Sequence, residues 1–174
     1  MFALYASGER PPDLPGVPRP HPRDIAEDQW HAFVVAAQRW PDRFLEHALS
    51  GPHRGIEIVI LNALGEVDRP AAREMLVAAA NERRAGHAFH REYAMRSLIK
   101  LGDPRVPDLL VRLVKDRDSS VRFAAVKAAV EFGDARVVPA LRRLAQASRT
   151  PPGTRAGALD AIKAITSREN ARHV

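Results

Sequence analysis

The sequence predicts an all-α fold, a short right-handed α-solenoid of about four helix-turn-helix repeats. Three observations support this. Apolar residues recur at helical spacing from residue 24 onward, no segment shows the alternation typical of a strand, and a unit of 31–37 residues repeats along the chain. Two helices of this length cannot bury their apolar faces alone, whereas stacked neighbours can. A plain helical bundle is the alternative fold.

Residues 1–23 are predicted to form an extended, proline-rich N-terminal arm. Six prolines fall within residues 8–23, and a proline inside a helix removes a hydrogen bond and clashes with the preceding turn. The repeat domain is predicted to span residues 24–174. Asp24 is placed to cap its first helix, with Glu27 three residues later as in a capping box.

Three aligned glycines mark the repeat: Gly65, Gly102 and Gly133. An arginine precedes each glycine by eleven residues, and a proline follows shortly after each. A fourth, less regular copy begins at Arg155 and has Thr166 in place of the glycine. Glycine ends helices in a left-handed conformation, which we expect at Gly133. Each unit therefore consists of helix A, a turn and helix B.

The pattern predicts nine helices, at approximately 24–40, 41–50, 53–65, 69–85, 88–101, 104–115, 119–132, 135–148 and 154–168. In the clearest unit, helix A should bury Val106, Leu109, Leu110, Leu113 and Val114. Helix B should bury Val121, Ala125, Ala128, Ala129 and Phe132. We expect Ser119 and Ser120 to cap helix B, and Asp134 to cap the helix that follows.

Composition excludes some function classes. The chain has no cysteine, so disulfides, thiolate nucleophiles and cysteine-bound zinc are excluded. No apolar run is long enough to span a bilayer, and a cytoplasmic protein is predicted. The net charge of +6 is uneven: residues 1–86 carry ten basic and twelve acidic side chains, residues 87–174 seventeen and nine. The basic half favours an acidic partner or a phosphate backbone, unless it is simply a solvated, arginine-rich surface.

One unit carries a family resemblance. LGDPRVPDLLVRLVKDRDSSVRFAAVKAAVEFG (residues 101–133) resembles the bacterial HEAT-like repeats first grouped with phycobilisome lyases. The matching motifs are Leu101-Gly102-Asp103, Pro107, Asp116, Val121-Arg122 and Ala125 to Ala129. The resemblance extends in part to residues 86–102 and 134–166, and weakly to 53–68. It implies a solenoid that binds other molecules, but it does not define a function, because function resides in individual sites.

The row of arginines is the most regular polar feature. In HEAT-like repeats, an aspartate of the turn and an arginine that opens helix B form a ladder between repeats. The resemblance thus implies a structural ladder of Arg54, Arg91, Asp116, Arg122 and Arg155. A stripe of arginines that binds phosphates is the alternative.

Helix B lines the concave face of such solenoids, so its outward positions are the predicted partner-binding surface. These positions are Tyr93, Arg96, Lys100, Phe123, Lys127 and Glu131. Arginine and aromatic residues are frequent at the centres of protein interfaces. The alternative for Tyr93 and Phe123 is packing between repeats.

No motif indicates catalysis, a metal or a cofactor. His87 and His90 could share a helix face, but the His-Glu dyads of HEAT-like deoxyhypusine hydroxylases are missing. The sequence therefore predicts a non-enzymatic protein-interaction or scaffold module with a protein partner, favoured to be acidic. One alternative is nucleic-acid binding, as in HEAT-like alkylpurine DNA glycosylases. The other is a chromophore lyase-like protein.

Overall fold

The computed structural model describes residues 27–50, 57–84 and 86–172 of the chain. The predicted N-terminal arm, the capping residue Asp24 and the first arginine of the row, Arg54, lie outside these residues. The division of the chain at residue 24 remains a prediction.

Across the described ranges the chain forms nine α-helices and no strand. The helices are α1 (Glu27–Arg39), α2 (Pro41–Leu49), α3 (Glu57–Ala63), α4 (Pro70–Asn81), α5 (Ala88–Lys100), α6 (Val106–Leu113), α7 (Ser119–Phe132), α8 (Val138–Gln146) and α9 (Pro152–Arg172). Short 3-10 turns follow α3 (Leu64–Glu66) and precede α8 (Ala135–Val137). Each predicted helix has its counterpart, so the all-α prediction is confirmed.

The helices alternate between two roles. The A helices are α2, α4, α6 and α8, and the B helices are α3, α5, α7 and α9. From α4 onward each A helix packs on the B helix that follows it, and the B helices stack in chain order, with α1 packed on α3. Stacked helix pairs of this kind make an α-solenoid, which confirms the predicted fold class.

Every A helix has a proline as its first or second residue. Pro41 and Pro70 are the first residues of α2 and α4, and Pro107 and Pro139 are the second residues of α6 and α8. The first turn of a helix has no internal partner for its N–H groups, so proline loses nothing there, and its φ angle already suits the helix.

The cap of α7 differs from the prediction. The Asp118 carboxylate accepts hydrogen bonds from the backbone N–H groups of Ser120 at 2.9 Å and Val121 at 3.3 Å. The prediction that Ser119 and Ser120 cap the helix is wrong, because the preceding carboxylate is the stronger acceptor for these N–H groups. The predicted cap at Asp134 is confirmed, since its side chain accepts from the backbone N–H of Arg136 at 3.0 Å.

The buried stripe of α6 is confirmed. Each of its five predicted residues is at most 5% exposed: Val106, Leu109, Leu110, Leu113 and Val114. These five residues belong to one continuous apolar core, which also contains the buried residues of the neighbouring helices.

The prediction for α7 is correct except at its end. Three of its five predicted residues are fully buried: Val121, Ala125 and Ala129. Ala128 is half-buried, but Phe132 is 43% exposed. The prediction for Phe132 is wrong because the buried face of α7 turns toward α9 through Val126, which packs opposite Gly157.

Gly102 and Gly133 are required for different physical reasons. Gly102 has a φ of +60°, the left-handed conformation that glycine adopts readily. Gly133 has a φ of −78°, so the predicted left-handed conformation is wrong there. A Cβ at Gly133 would lie 2.6 Å from the carbonyl oxygen of Ala129. Close packing, not the φ angle, requires this glycine.

Candidate functional site

The turns from each B helix into the next A helix form one edge of the solenoid, which we call the paired edge. It includes the beginnings of α4, α6 and α8. Its charged residues are Glu66, Asp68, Arg69, Arg73, Glu74, Asp103, Arg105, Asp108, Asp134 and Arg136. Each arginine of this edge forms an ion pair with a carboxylate.

Asp103 lies at the centre of the paired edge, and its side chain is 1% exposed. It accepts hydrogen bonds from the backbone N–H and the guanidinium of Arg105, both at 2.9 Å, and from the Arg73 guanidinium at 3.3 Å. The Arg105 guanidinium above all lowers the pKa of Asp103 to about 2, against the opposing effect of burial. This carboxylate therefore stays charged at every ordinary pH.

The same edge connects consecutive A helices. Arg105, just before α6, reaches Glu74 of α4 at 2.6 Å, and Arg136, just before α8, reaches Asp108 of α6 at 2.6 Å. Both arginines also bind the aspartate of their own turn. Each turn is thereby tied to the preceding repeat, and the edge carries little free charge.

The three described arginines of the aligned row share one contact. Arg91 donates to the carbonyl oxygen of Glu82 at 2.9 Å, Arg122 to that of Asp116 at 2.7 Å, and Arg155 to that of Ala147 at 3.2 Å. In each repeat the arginine thus binds the turn that precedes its own B helix.

One pair of this row crosses between repeats. Arg91 donates to both carboxylate oxygens of Asp116, at 2.8 and 2.9 Å, and the two side chains are 9% and 12% exposed. Asp116 is therefore mostly buried, although it lies in a turn. Arg122 binds the carbonyl of Asp116, not its carboxylate. The next turn, residues 147–151, contains no carboxylate, so Arg122 lacks the equivalent partner.

The six predicted partner-binding residues all lie on α5 and α7. We call them the B-helix face: Tyr93, Arg96, Lys100, Phe123, Lys127 and Glu131. Arg96, Lys100, Phe123, Lys127 and Glu131 are exposed, and Tyr93 is half-buried.

On α5 the cations of this face are already neutralised. Arg96 donates to Glu92 at 2.6 Å, and its guanidinium lies 5.7 Å from the centroid of the Tyr93 ring. Lys100 forms an ion pair with Glu66. Binding of an acidic partner here would have to compete with these internal carboxylates.

Helix α1 covers part of the same region. The rings of Trp30 and Tyr93 lie 5.3 Å apart between centroids, and Gln38 of α1 donates to Glu66 at 3.0 Å. Tyr93 is thus committed to an internal contact, and α7 is the more open half of the face.

On α7 the equivalent positions carry different residues. Lys127 stands in register with Arg96, but Phe123 occupies the position of Glu92. The Lys127 ammonium lies 5.8 Å from the centroid of the Phe123 ring, and Phe123 is 44% exposed. A cation over the face of an aromatic ring is a favourable contact. It leaves both groups accessible to a partner.

The turns from each A helix into its B helix form the opposite edge, which we call the basic edge. Seven exposed cations lie in the second half of α6 or α8, or in the turns that follow α4, α6 and α8: Arg83, Arg112, Lys115, Arg117, Arg142, Arg143 and Arg149. None of the seven side chains forms an ion pair or hydrogen bond with another described residue. Most of the surplus charge of residues 87–174 is therefore concentrated here.

Part of the basic edge surrounds a cleft of about 380 Å³ between the ends of α4 and α6. Arg83, Arg112, Lys115 and Arg117 line it, together with the Arg91–Asp116 pair. Ala80 and Asn81 of α4 and Leu113 of α6 complete the lining, and none of the described residues that line the cleft is aromatic. Convergent cations around a polar cleft make an anion-binding site chemically feasible.

The two histidines on α5 do not form a metal site with the described residues. His87 and His90 stack with their ring centroids 4.4 Å apart. Burial lowers the pKa of His90, aided by the neighbouring His87. In the described ranges, no three histidine or carboxylate side chains are arranged as a ligand set.

The basic edge is the feature that sequence reasoning missed. The aligned glycines lie at or near the B-to-A turns, whereas these cations lie around the A-to-B turns at the opposite edge. A basic residue recurs there in three successive repeats, at Arg83, Arg112 and Arg143. That recurrence is visible in the sequence, but the absence of neutralising carboxylates is visible only in the fold.

Comparison with protein families gives a match to a repeat family. A family model of HEAT repeats matches residues 83–163, which include all of α5, α6, α7 and α8. The curated proteins yield no match to the chain. As for membranes, none of the helices in the described part of the chain has both the length and the apolar character needed to cross one.

Proposed function

We propose that the chain, which matches a family model of HEAT repeats over residues 83–163, is a non-enzymatic interaction module that binds another protein through the B-helix face. One observation carries this proposal, the exposed Phe123 ring with the Lys127 ammonium above it. Aromatic residues, phenylalanine among them, are enriched at protein interfaces. A lysine with an available charge favours a partner that presents a carboxylate.

The charge of the B-helix face supports a protein partner over nucleic acid. Its three cations stand among carboxylates, with Glu92 and Glu66 bound to Arg96 and Lys100, and Glu131 exposed on α7. A phosphate backbone would be repelled by these carboxylates, whereas a protein interface is commonly of mixed charge. The nucleic-acid alternative therefore gains no support on this face. The described residues add nothing to the chromophore-lyase alternative.

The arginine row is proposed to be structural. The buried pair of Arg91 with Asp116 and the carbonyl contacts of Arg122 and Arg155 support this role. These groups fix the A-to-B turns and so hold the B helices in register. Arg54 remains a prediction for the same row.

Comparative capture from cell extract tests the proposal. The full chain and the double variant Phe123→Ala/Lys127→Glu are used as baits, and retained proteins are identified by mass spectrometry. We expect at least one protein that the wild type retains and the variant loses. Both substitutions are at exposed positions, so the variant should remain folded, as circular dichroism would show.

The matched control is Arg43→Glu together with Leu49→Ala, which removes an exposed cation and an exposed apolar side chain on α2. It should retain the same proteins as the wild type. If all three baits retain the same set, the B-helix face is not the binding surface.

A further inference from the structure

The second surface that stands out is the basic edge, which lies at the opposite ends of the helices from the paired edge. Its side chains are not part of the B-helix face, and the proposed protein contact does not use them. Both edges are rich in arginine, but among the described residues only the cations of the paired edge are neutralised by carboxylates. The charge of the basic edge is available to an anionic partner.

The carboxylates near the basic edge are already engaged. Asp116 is bound by Arg91, and Asp118 caps α7 through the backbone N–H of Ser120. Glu82 accepts from the backbone N–H of Arg84. None of them is placed to neutralise the cations that line the cleft.

The cations lie around successive turns along one edge of the stack. Equivalent turns follow one another at roughly the spacing of packed helices, about 10 Å, and each of three successive turns contributes cations. These are Arg83 beyond α4; Arg112 at the end of α6, with Lys115 and Arg117 beyond it; and Arg142 and Arg143 in the second half of α8, with Arg149 beyond it. A row of fixed positive charges complements a row of negative ones.

From this geometry we infer that the basic edge binds the phosphate backbone of a nucleic acid, with the cleft between α4 and α6 at the centre of the contact. Arginine provides most of the charge, and its guanidinium donates two hydrogen bonds to one phosphate. None of the described residues that line the cleft is aromatic, so bases would not stack on it. The contact is to the backbone and does not depend on base sequence.

An acidic protein segment is the competing partner for the same charge. Protein partners are usually anchored by apolar or aromatic side chains in a pocket. The cleft provides only Ala80 and Leu113 as apolar lining. Phosphodiesters need no such anchor, since charge and counterion release supply nearly all of their non-specific affinity.

The test uses fluorescence anisotropy of a labelled DNA duplex of about 20 base pairs, titrated with the full chain between about 50 and 200 mM salt. We expect binding that weakens steeply with salt. In the triple variant Arg112→Gln/Lys115→Gln/Arg117→Gln, the slope of log affinity against log salt should decrease by about 2.7, since each lost phosphate contact accounts for about 0.9.

The matched control is Arg39→Gln/Arg43→Gln/Lys163→Gln, which removes the same net charge away from the basic edge. It should keep the wild-type salt slope. An equal decrease of the salt slope in both triple variants would indicate a general effect of net charge and would overturn the inference. So would undetectable binding at the lowest salt.

A poly-glutamate peptide of matched charge separates the two kinds of partner. If it binds as tightly as the duplex and displaces it at equal charge, the edge is a site for acidic proteins and the nucleic-acid inference fails. This result leaves the protein-binding proposal unaffected, because that proposal is tested with substitutions at Phe123 and Lys127.

Discussion

The two edges of the solenoid carry the same kind of residue in opposite states. At the paired edge, Arg105 binds two carboxylates, Asp103 in its own turn and Glu74 in the preceding repeat. At the basic edge, Arg112 and Arg117 have no carboxylate partner among the described residues. The turns of the basic edge are held by the buried Arg91–Asp116 pair and by the carbonyl contacts of Arg122 and Arg155. The exposed cations of this edge are therefore left available for binding.

Both edges exist only while the B helices remain stacked on one another. Ala125 is fully buried in the middle of α7. Ala125→Asp should destabilise the protein by about 4 kcal/mol or more, because it buries an unpaired charge between packed helices. Urea unfolding measures the loss. The exposed Ala78→Asp on α4 is the control, and a wild-type midpoint for the Ala125 variant would refute the assigned packing.

The substitution Asp103→Asn tests the paired edge directly. The amide places a donor against the donors of Arg105 and Arg73, so we expect a loss of about 2–3 kcal/mol in the free energy of unfolding. The arginines are partly exposed and can rehydrate, which keeps the loss below that of a fully buried pair. Glu74→Gln, at an exposed carboxylate, should unfold like the wild type. Similar losses of unfolding free energy in Asp103→Asn and Glu74→Gln would show that the burial of Asp103 is unimportant.

The two edges should lose their contributions to stability in different pH ranges. His90, at the basic-edge end of α5, has a pKa lowered by burial. The unfolded chain then binds the proton more readily, so stability present above about pH 6.5 declines as the pH falls below that value. Asp103, with its pKa lowered to about 2, keeps its contribution until the pH falls below 3.8 and loses it toward pH 2.

Unfolding at stepped pH tests this order. In His90→Phe the loss between neutral pH and pH 5 should shrink, while the loss below pH 4 remains. If the variant loses stability between neutral pH and pH 5 as the wild type does, His90 is not the titrating group.

The smallest expected effect is on the basic edge itself. Neutralising Arg112, Lys115 and Arg117 to glutamine removes like charges that repel one another, so thermal stability should rise slightly at low salt. The gain should disappear at high salt, because screening already removes the repulsion. A clear loss of stability would mean that these side chains make structural contacts.

Much of the fold could be predicted because its signals are local. The boundaries of α5 and α7 fall within one residue of their predictions, since proline, glycine and aspartate mark each turn. The exposed Phe132 and the extended Gly133 were mispredicted because their environment depends on α9 and on the close approach of Val137 and Ile165. Periodicity along one helix does not contain that information.

The sites were predictable only in part. That Arg96, Lys127 and Phe123 are exposed follows from their register on the B helices. Whether a charge is neutralised depends on contacts across repeats, such as Lys100 with Glu66, which lies 34 residues away. The basic edge was missed for the same reason, since its distinguishing property is the lack of such contacts.

The helices that join the two edges also keep them electrically independent. A helix of 13 residues, the length of α5, is about 20 Å long. Mobile ions at physiological salt screen charges beyond about 8 Å. The ion pairs at one end therefore do not weaken the field at the other. A polyanion approaching in solution would encounter a molecule with one attractive end, and it would be oriented before any contact formed.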